Sequence, residues 1–186
     1  MATNNAANNA SFGQIIFSNN QPAVFGQDGV YANGNQPSFN ATISGEGIPN
    51  VTGDGTIYPI IFDQVIWNDG SEYDSTTGMW TPGLNSTYMV NYSVTLTGID
   101  SSNLGMNLFF SDFDSGINPN NLFQAYNPFN VSFDGGFSIT NSLIFRASGT
   151  SGIQISIQVF GVALNVGILS PSLQPYNTYF SAYRLG

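Results

Sequence analysis

The chain contains no cysteine, no histidine and no lysine, and its only basic side chains are Arg146 and Arg184. Each absence removes a class of chemistry. Without cysteine there is no disulfide framework, no thiolate nucleophile and no thiolate metal site. Without histidine the commonest general base and the commonest transition-metal ligand are missing. Eleven carboxylates against two arginines give a formal charge of −9. That balance disfavours nucleic acid and anionic membrane surfaces, because both need Lys and Arg to neutralise phosphate. No apolar run approaches the ~18 residues of a membrane-spanning helix, so no membrane insertion is expected. The start, MATNNAANNAS, shows neither the basic nor the apolar region of a secretory leader. An exterior location is therefore expected to be reached by particle assembly, lysis or a dedicated secretion route.

What is present is apolar and uncharged polar. Hydrophobic residues make up 41% of the chain and aromatics 14%, enough for a packed core, whereas charged residues are only 7%. Contact with water rests on Asn, Ser, Thr, Gln and Gly. Two basic residues leave trypsin-like proteases few places to cut, which suits an exposed protein.

Residues 1–36 differ from the rest. They are rich in Asn, Ala, Gly and Gln, interrupted by Ile15-Ile16-Phe17 and Ala23-Val24-Phe25, and read either as an extended attachment arm that pairs or docks in short segments or as a disordered leader. From residue 37 the pattern is β. Tyr88, Val90, Tyr92, Val94 and Leu96 alternate with Met89, Asn91, Ser93 and Thr95; Ile153, Ile155, Ile157 and Val159 alternate with Gln154, Ser156 and Gln158. Further strands are expected at 38–43, 60–67, 106–110, 129–133, 137–139, 143–147, 162–168 and 178–185. Turn signals separate them, among them Ser44-Gly45, Gly53-Asp54-Gly55, Asn68-Asp69-Gly70, Thr77-Gly78 and Asp134-Gly135-Gly136. Many short strands with no amphipathic helix to link them exclude a parallel α/β fold and point to an antiparallel sandwich. The outer strand faces carry amides and hydroxyls instead of Lys and Glu. Uncharged faces suit subunit interfaces, where a buried charge is costly, so Met89, Asn91 and Ser93 are candidate interface residues.

Candidate chemistry is sparse. Only carboxylate pairs remain for catalysis: Asp69, Glu72 and Asp74 in one group, Asp112 and Asp114 in the other. Both groups lie in turn-rich sequence, where Asp commonly caps its own backbone. The alternation Asp112-Phe113-Asp114-Ser115-Gly116 makes Asp112 and Asp114 candidate calcium ligands, since a glycine after spaced carboxylates lets several hard oxygens surround one cation. No other cofactor is expected. Six Asn-x-Ser/Thr sequons, at Asn9, Asn40, Asn50, Asn85, Asn91 and Asn130, are uninformative in so Asn- and Ser-rich a chain. Tyr31, Trp67, Tyr126 and Tyr176 lie in or beside turns, where they either form a binding surface or plug the ends of the sandwich.

The run IFDQVIWNDGSEYDSTTGMWTPGLNSTYMVNYSV, Ile61 to Val94, resembles the complement C1q globular-head family of tumour-necrosis-factor-like jelly rolls. The resemblance is carried by Phe62, Asn68, Tyr73-Asp74, Thr77-Gly78, Trp80, Pro82 and Tyr88. Pro37-Ser38-Phe39-Asn40-Ala41 looks like the family's opening strand, and Thr178–Leu185 like its closing strand. Ala182 stands where the family usually has glycine, the glycine shortly before Tyr88 is replaced by Ser86 or displaced by a one-residue insertion, and residues 1–36 carry no collagen-like Gly-X-Y repeat. The resemblance spans 37–186 and implies a ten-strand antiparallel jelly-roll sandwich that assembles as a homotrimer and binds without catalysing. Together these observations predict a non-enzymatic homotrimeric recognition head for a receptor, glycan or host surface. It would sit on a virion, spore or cell exterior, held to a particle or coat through residues 1–36. Alternatives are a purely structural capsid or coat decoration, a cytokine-like receptor ligand and, last, a carbohydrate-active enzyme.

Overall fold

The computed structural model describes residues 14–16, 22–26, 29–32, 38–83, 86–112, 124–126, 136–147, 152–171 and 178–185. The chain divides into two units, Met1–Gln36 and Pro37–Gly186. In the first, β1 (Gln14–Ile16), β2 (Pro22–Gly26) and β3 (Gly29–Ala32) form an antiparallel three-stranded sheet in chain order. These are the short apolar pieces that punctuate the Asn-rich sequence.

The second unit is an antiparallel β sandwich, as the alternating sequence predicts. Its strands in chain order are β4 (Ser38–Thr42), β5 (Gly47–Thr52), β6 (Ile57–Pro59), β7 (Gln64–Asp69), β8 (Tyr73–Asp74), β9 (Met79–Trp80), β10 (Thr87–Thr97), β11 (Gly105–Asp112), β12 (Gln124–Tyr126), β13 (Gly136–Arg146), β14 (Ile153–Phe160), β15 (Val166–Leu169) and β16 (Tyr179–Arg184). The seven-stranded sheet is built around β10. One edge of β10 pairs with β13 along all eleven residues, Thr87 opposite Arg146 through Thr97 opposite Gly136. Its other edge is shared: residues 88–93 pair with β16, which leads to β4 and β7, and residues 96–97 pair with β15, which leads to β5. The six-stranded sheet is built around β14, which pairs along its length with β11 on one edge and with β6 and β9 on the other.

The core lies between the sheets and comes from the period-2 faces. Tyr88, Val90, Tyr92, Val94 and Leu96 of β10 face Ile153, Ile155, Ile157 and Val159 of β14, all buried. Trp80 on the second sheet and Tyr88 on the first meet edge to face, with ring centroids 5.0 Å apart. Phe39 stacks on Tyr73 at 4.7 Å and meets Phe180 edge-on at 4.8 Å, so the opening and closing strands of the unit share one aromatic cluster.

Several expectations are corrected. The segment 60–67 is not one strand: residues 60–63 run between β6 and β7 without a ladder. Their polar backbone is satisfied otherwise. Ile60 N–H donates to Ile155 O at 2.8 Å, and the Tyr73 hydroxyl accepts from Phe62 N–H at 3.2 Å and donates to Phe62 O at 3.1 Å. The pieces expected at 137–139 and 143–147 are one strand, β13, because Asn141 and Ser142 continue the pairing with β10. The piece expected at 162–168 begins only at Val166; residues 161–164 form a turn. The strand expected at 129–133 lies outside the described residues. Strands β5, β8 and β9 were not legible, being Gly- and Pro-containing or two residues long. Thr77-Gly78 is the expected turn, with Gly78 at φ +73°. A Cβ there would lie 2.7 Å from Ile60 O, so glycine is required on two counts.

Candidate functional site

In the first carboxylate group, Asp74 and Glu72 are engaged as structural anchors. Asp74 accepts from Thr76 N–H at 2.8 Å and from the Thr77 hydroxyl at 2.9 Å. These bonds, the amide's first, hold its carboxyl below the ordinary value of 3.8. Asp69, at the end of β7, takes a long hydrogen bond of 3.5 Å from the Ser38 hydroxyl. Glu72 accepts from Tyr88 Oη at 2.7 Å and Gly83 N–H at 3.0 Å on one oxygen, and from Trp80 Nε1–H at 3.2 Å on the other. Burial first, then the hydrogen bond to Glu72, pushes the Tyr88 phenol up to about 12. This arrangement clamps the 72–88 segment onto the core; it does not leave Glu72 a free oxygen face beside a second carboxylate.

Asp112 is the last residue of β11, paired with Ile153, and so sits on a strand and not in a turn as its surroundings suggested. Its side chain and the whole of Asp114 lie outside the described residues, and the calcium expectation with them. The side chains of Tyr31 and Tyr126, and Tyr176 entirely, fall outside as well.

The interface candidates are placed together. Met89, Asn91 and Ser93 lie on the face of β10 opposite in parity to the Tyr88–Leu96 series; Met89 and Asn91 are half-buried, and Ser93 is buried within the chain itself. Cross-strand partners share that face. Ile144, Met89, Tyr183, Ser38 and Asp69 form one row across β13, β10, β16, β4 and β7. The next row is Ser142, Asn91, Ser181, Asn40 and Trp67. The amide of Asn91 accepts from the Ser142 hydroxyl at 2.7 Å, and Ser93 shares a hydrogen bond with Thr140 at 2.9 Å. These polar groups thus consume one another instead of holding water or charge.

Sequence reasoning missed the apolar part of this face. Ile144 is 68% exposed, and Ile66, Trp67, Tyr183 and Leu185 are each about half exposed. Ile144 sits within Leu143-Ile144-Phe145, where three consecutive apolar residues hide the alternation. A β-bulge puts two residues of β7 against one of β4 between Asn40 and Ala41, so Ile66 and Trp67 are re-aimed side by side at the free edge of the sheet. No periodicity predicts that.

Comparison with known proteins agrees with this architecture. The C1q domain family matches residues 47–117. No curated protein matches the chain significantly. Among solved structures, murine APRIL at pH 8.0 superposes with a TM-score of 0.55 at 12% identity, covering 81% of this chain and 100% of that one. Murine APRIL at pH 8.5 gives 0.55 at 13% identity and at pH 5.0 gives 0.54 at 11%, with the same coverage. At such identity the likeness is one of fold: the jelly roll of the tumour-necrosis-factor family. The resemblance read in the sequence is therefore borne out at residues 47–117, and the fold of the chain is a TNF-like jelly roll.

Proposed function

We propose that this protein is a non-enzymatic homotrimeric recognition head, displayed on the exterior of a virion, spore or cell and attached through residues 1–36. The observation that carries the reading is the outer face of the seven-stranded sheet. It spans β13, β10, β16, β4 and β7, has an apolar row at Ile144, Met89 and Tyr183, and ends on the paired Ile66 and Trp67. Its centre carries no charge, and its amides and hydroxyls are already bonded to one another. A contiguous face of this composition is costly to leave in water and inexpensive to bury against a copy of itself. C1q/TNF-like domains commonly assemble as trimers, which supports three copies over two.

Light scattering on the full chain tests this. The expected mass is about three times the 19.9 kDa chain. Ile144→Asp should lower it to that of a single chain while the β circular dichroism remains. A single-chain mass for the unaltered protein across micromolar concentrations refutes the reading. Deleting residues 1–36 separates the alternatives. A recognition head keeps its cell or glycan binding after the deletion; a structural decoration loses particle association and has no binding to keep; a receptor ligand binds one cell-surface protein with or without the arm.

A further inference from the structure

A second apolar surface lies at the other end of the sandwich. At the distal ends of β10 and β14, three connections come together: residues 53–56 between β5 and β6, residues 98–104 between β10 and β11, and residues 161–165 between β14 and β15. Leu104, Val162 and Leu164 in these connections, with Ile57 at the start of β6 and Phe160 at the end of β14, are exposed to solvent, Val162 83% and Leu104 62%. The residues are neighbours through the backbone as well as in sequence. Leu104 N–H donates to Phe160 O at 2.7 Å. Ile57 is registered opposite Gln158 and so shares a face with Phe160, two residues along the same strand. Gln158 in turn donates to Gly55 O at 2.7 Å, against which the Phe160 ring lies.

The three connections pack closely against one another. A Cβ on Gly53 would lie 2.4 Å from Ala163 O, and one on Gly161 would lie 2.6 Å from Gly53 O, so the loops interlock backbone to backbone.

Charge selects the occupant. Asp54 and Asp100 stand in these same loops, each exposed, Asp54 bonded to Thr56 N–H at 2.9 Å and Asp100 to Ser102 N–H at 2.7 Å. The chain's only cations are at the opposite end: Arg146 pairs with Thr87 and Arg184 with Tyr88, the first residues of β10. The ten-residue run of β10 from there to Thr97 separates them from these loops by ~30 Å at the usual strand rise. This end is therefore apolar and anionic, with no basic side chain to meet a phosphate or sulfate. Aliphatic side chains also offer no hydrogen bonds to sugar hydroxyls. We infer that the Ile57–Phe160–Val162–Leu164 surface docks a protein segment with an apolar centre ringed by Lys or Arg.

The surface is separate from the sheet face assigned to self-association, so the two readings fail independently. The probe is an amphipathic peptide composed of Leu and Lys, titrated by fluorescence anisotropy into the full-length protein. The controls are the same peptide with Glu for Lys, and phosphatidylcholine vesicles with and without phosphatidylserine. The Lys peptide should bind, more weakly as salt rises, and the Glu peptide and both vesicles should not. Val162→Ser with Leu164→Ser should weaken binding roughly tenfold, the loss of two interface anchors. Asp54→Asn with Asp100→Asn, which keeps the turn hydrogen bonds, should weaken it severalfold and flatten the salt dependence. Ile144→Asp should leave it unchanged. Equal binding by the Val162/Leu164 variant, binding of the Glu peptide, or a preference for either vesicle overturns the inference.

Discussion

Removing the Tyr88 hydroxyl tests how the aromatic centre of the sandwich is held. In Tyr88→Phe the ring keeps its place against Trp80, 5.0 Å away, and its burial in the core. What goes is one hydrogen bond to a carboxylate, Oη to Glu72 at 2.7 Å, one accepted from Gly83 N–H at 2.9 Å, and the hydrogen bond with the Ser86 hydroxyl. Gly83 N–H is not orphaned, because it also reaches Glu72 at 3.0 Å. No desolvation penalty for a stranded backbone donor is therefore added. A hydrogen bond to a charged group contributes ~1.5–3 kcal/mol. Glu72 is partly exposed, so the lower end applies, about 1.5 kcal/mol. For a chain of this size that is ~3–6 °C in Tm. The assay is urea unfolding at fixed chain concentration, since any self-association makes stability concentration-dependent. Far-UV circular dichroism and tryptophan emission would be followed together. The decisive control is the double-mutant cycle with Glu72→Gln, whose amide oxygen still accepts from Gly83 N–H but carries no charge. In that background Tyr88→Phe should cost less, because the bond lost is then one between neutral groups. A single-variant loss below ~0.5 kcal/mol, or one undiminished in the Glu72→Gln background, refutes the reasoning.

Two further outcomes follow from the same geometry. The Tyr88 phenol, raised by burial to about 12 from an ordinary 10, contributes stability that is complete below pH 10 and disappears as pH rises toward 12. An alkaline titration of the unfolding midpoint should show this limb, shallower in Tyr88→Phe; identical limbs in the two proteins would exclude Tyr88 as a source. Gly78→Ala and Gly45→Ala separate backbone conformation from crowding. Both glycines have positive φ, +73° and +68°, but a Cβ meets Ile60 O at 2.7 Å only at Gly78, with nothing within 4 Å at Gly45. Gly45→Ala should lose about 1 kcal/mol and Gly78→Ala at least about twice that; equal losses by thermal denaturation would mean that the contact with Ile60 relaxes freely.

The legible part of the fold was the part with a clean period. The two longest alternations, 88–96 and 153–159, became the spines of the two sheets, with the apolar series inward as their spacing required. The aromatic positions that carried the C1q resemblance, Phe62, Tyr73, Trp80 and Tyr88, all lie in the core. Period failed where a polar backbone was satisfied by something other than a ladder. At 60–63 the Tyr73 hydroxyl replaces a strand partner, and at 68–73 the Asn68 side chain does so by bonding Tyr73 N–H and O at 3.2 and 2.7 Å. It failed again at Leu143-Ile144-Phe145, where an apolar outer position is indistinguishable from its buried neighbours until β10 sets the register.

The candidate surfaces divide in the same way. Composition alone determined that no Cys, His or Lys chemistry operates here, and that any partner must tolerate an acidic chain with two cations. Alternation alone determined an antiparallel β sandwich and put Met89, Asn91 and Ser93 on an outer face. Only the tertiary structure decided what joins them there, because β10, β13, β16, β4 and β7 are far apart in sequence and meet through ladder pairing. Only the tertiary structure separated both arginines from the apolar end near Val162. That separation depends on which ends of β10 and β14 the chain brings together, a property of register and topology that no local sequence pattern encodes.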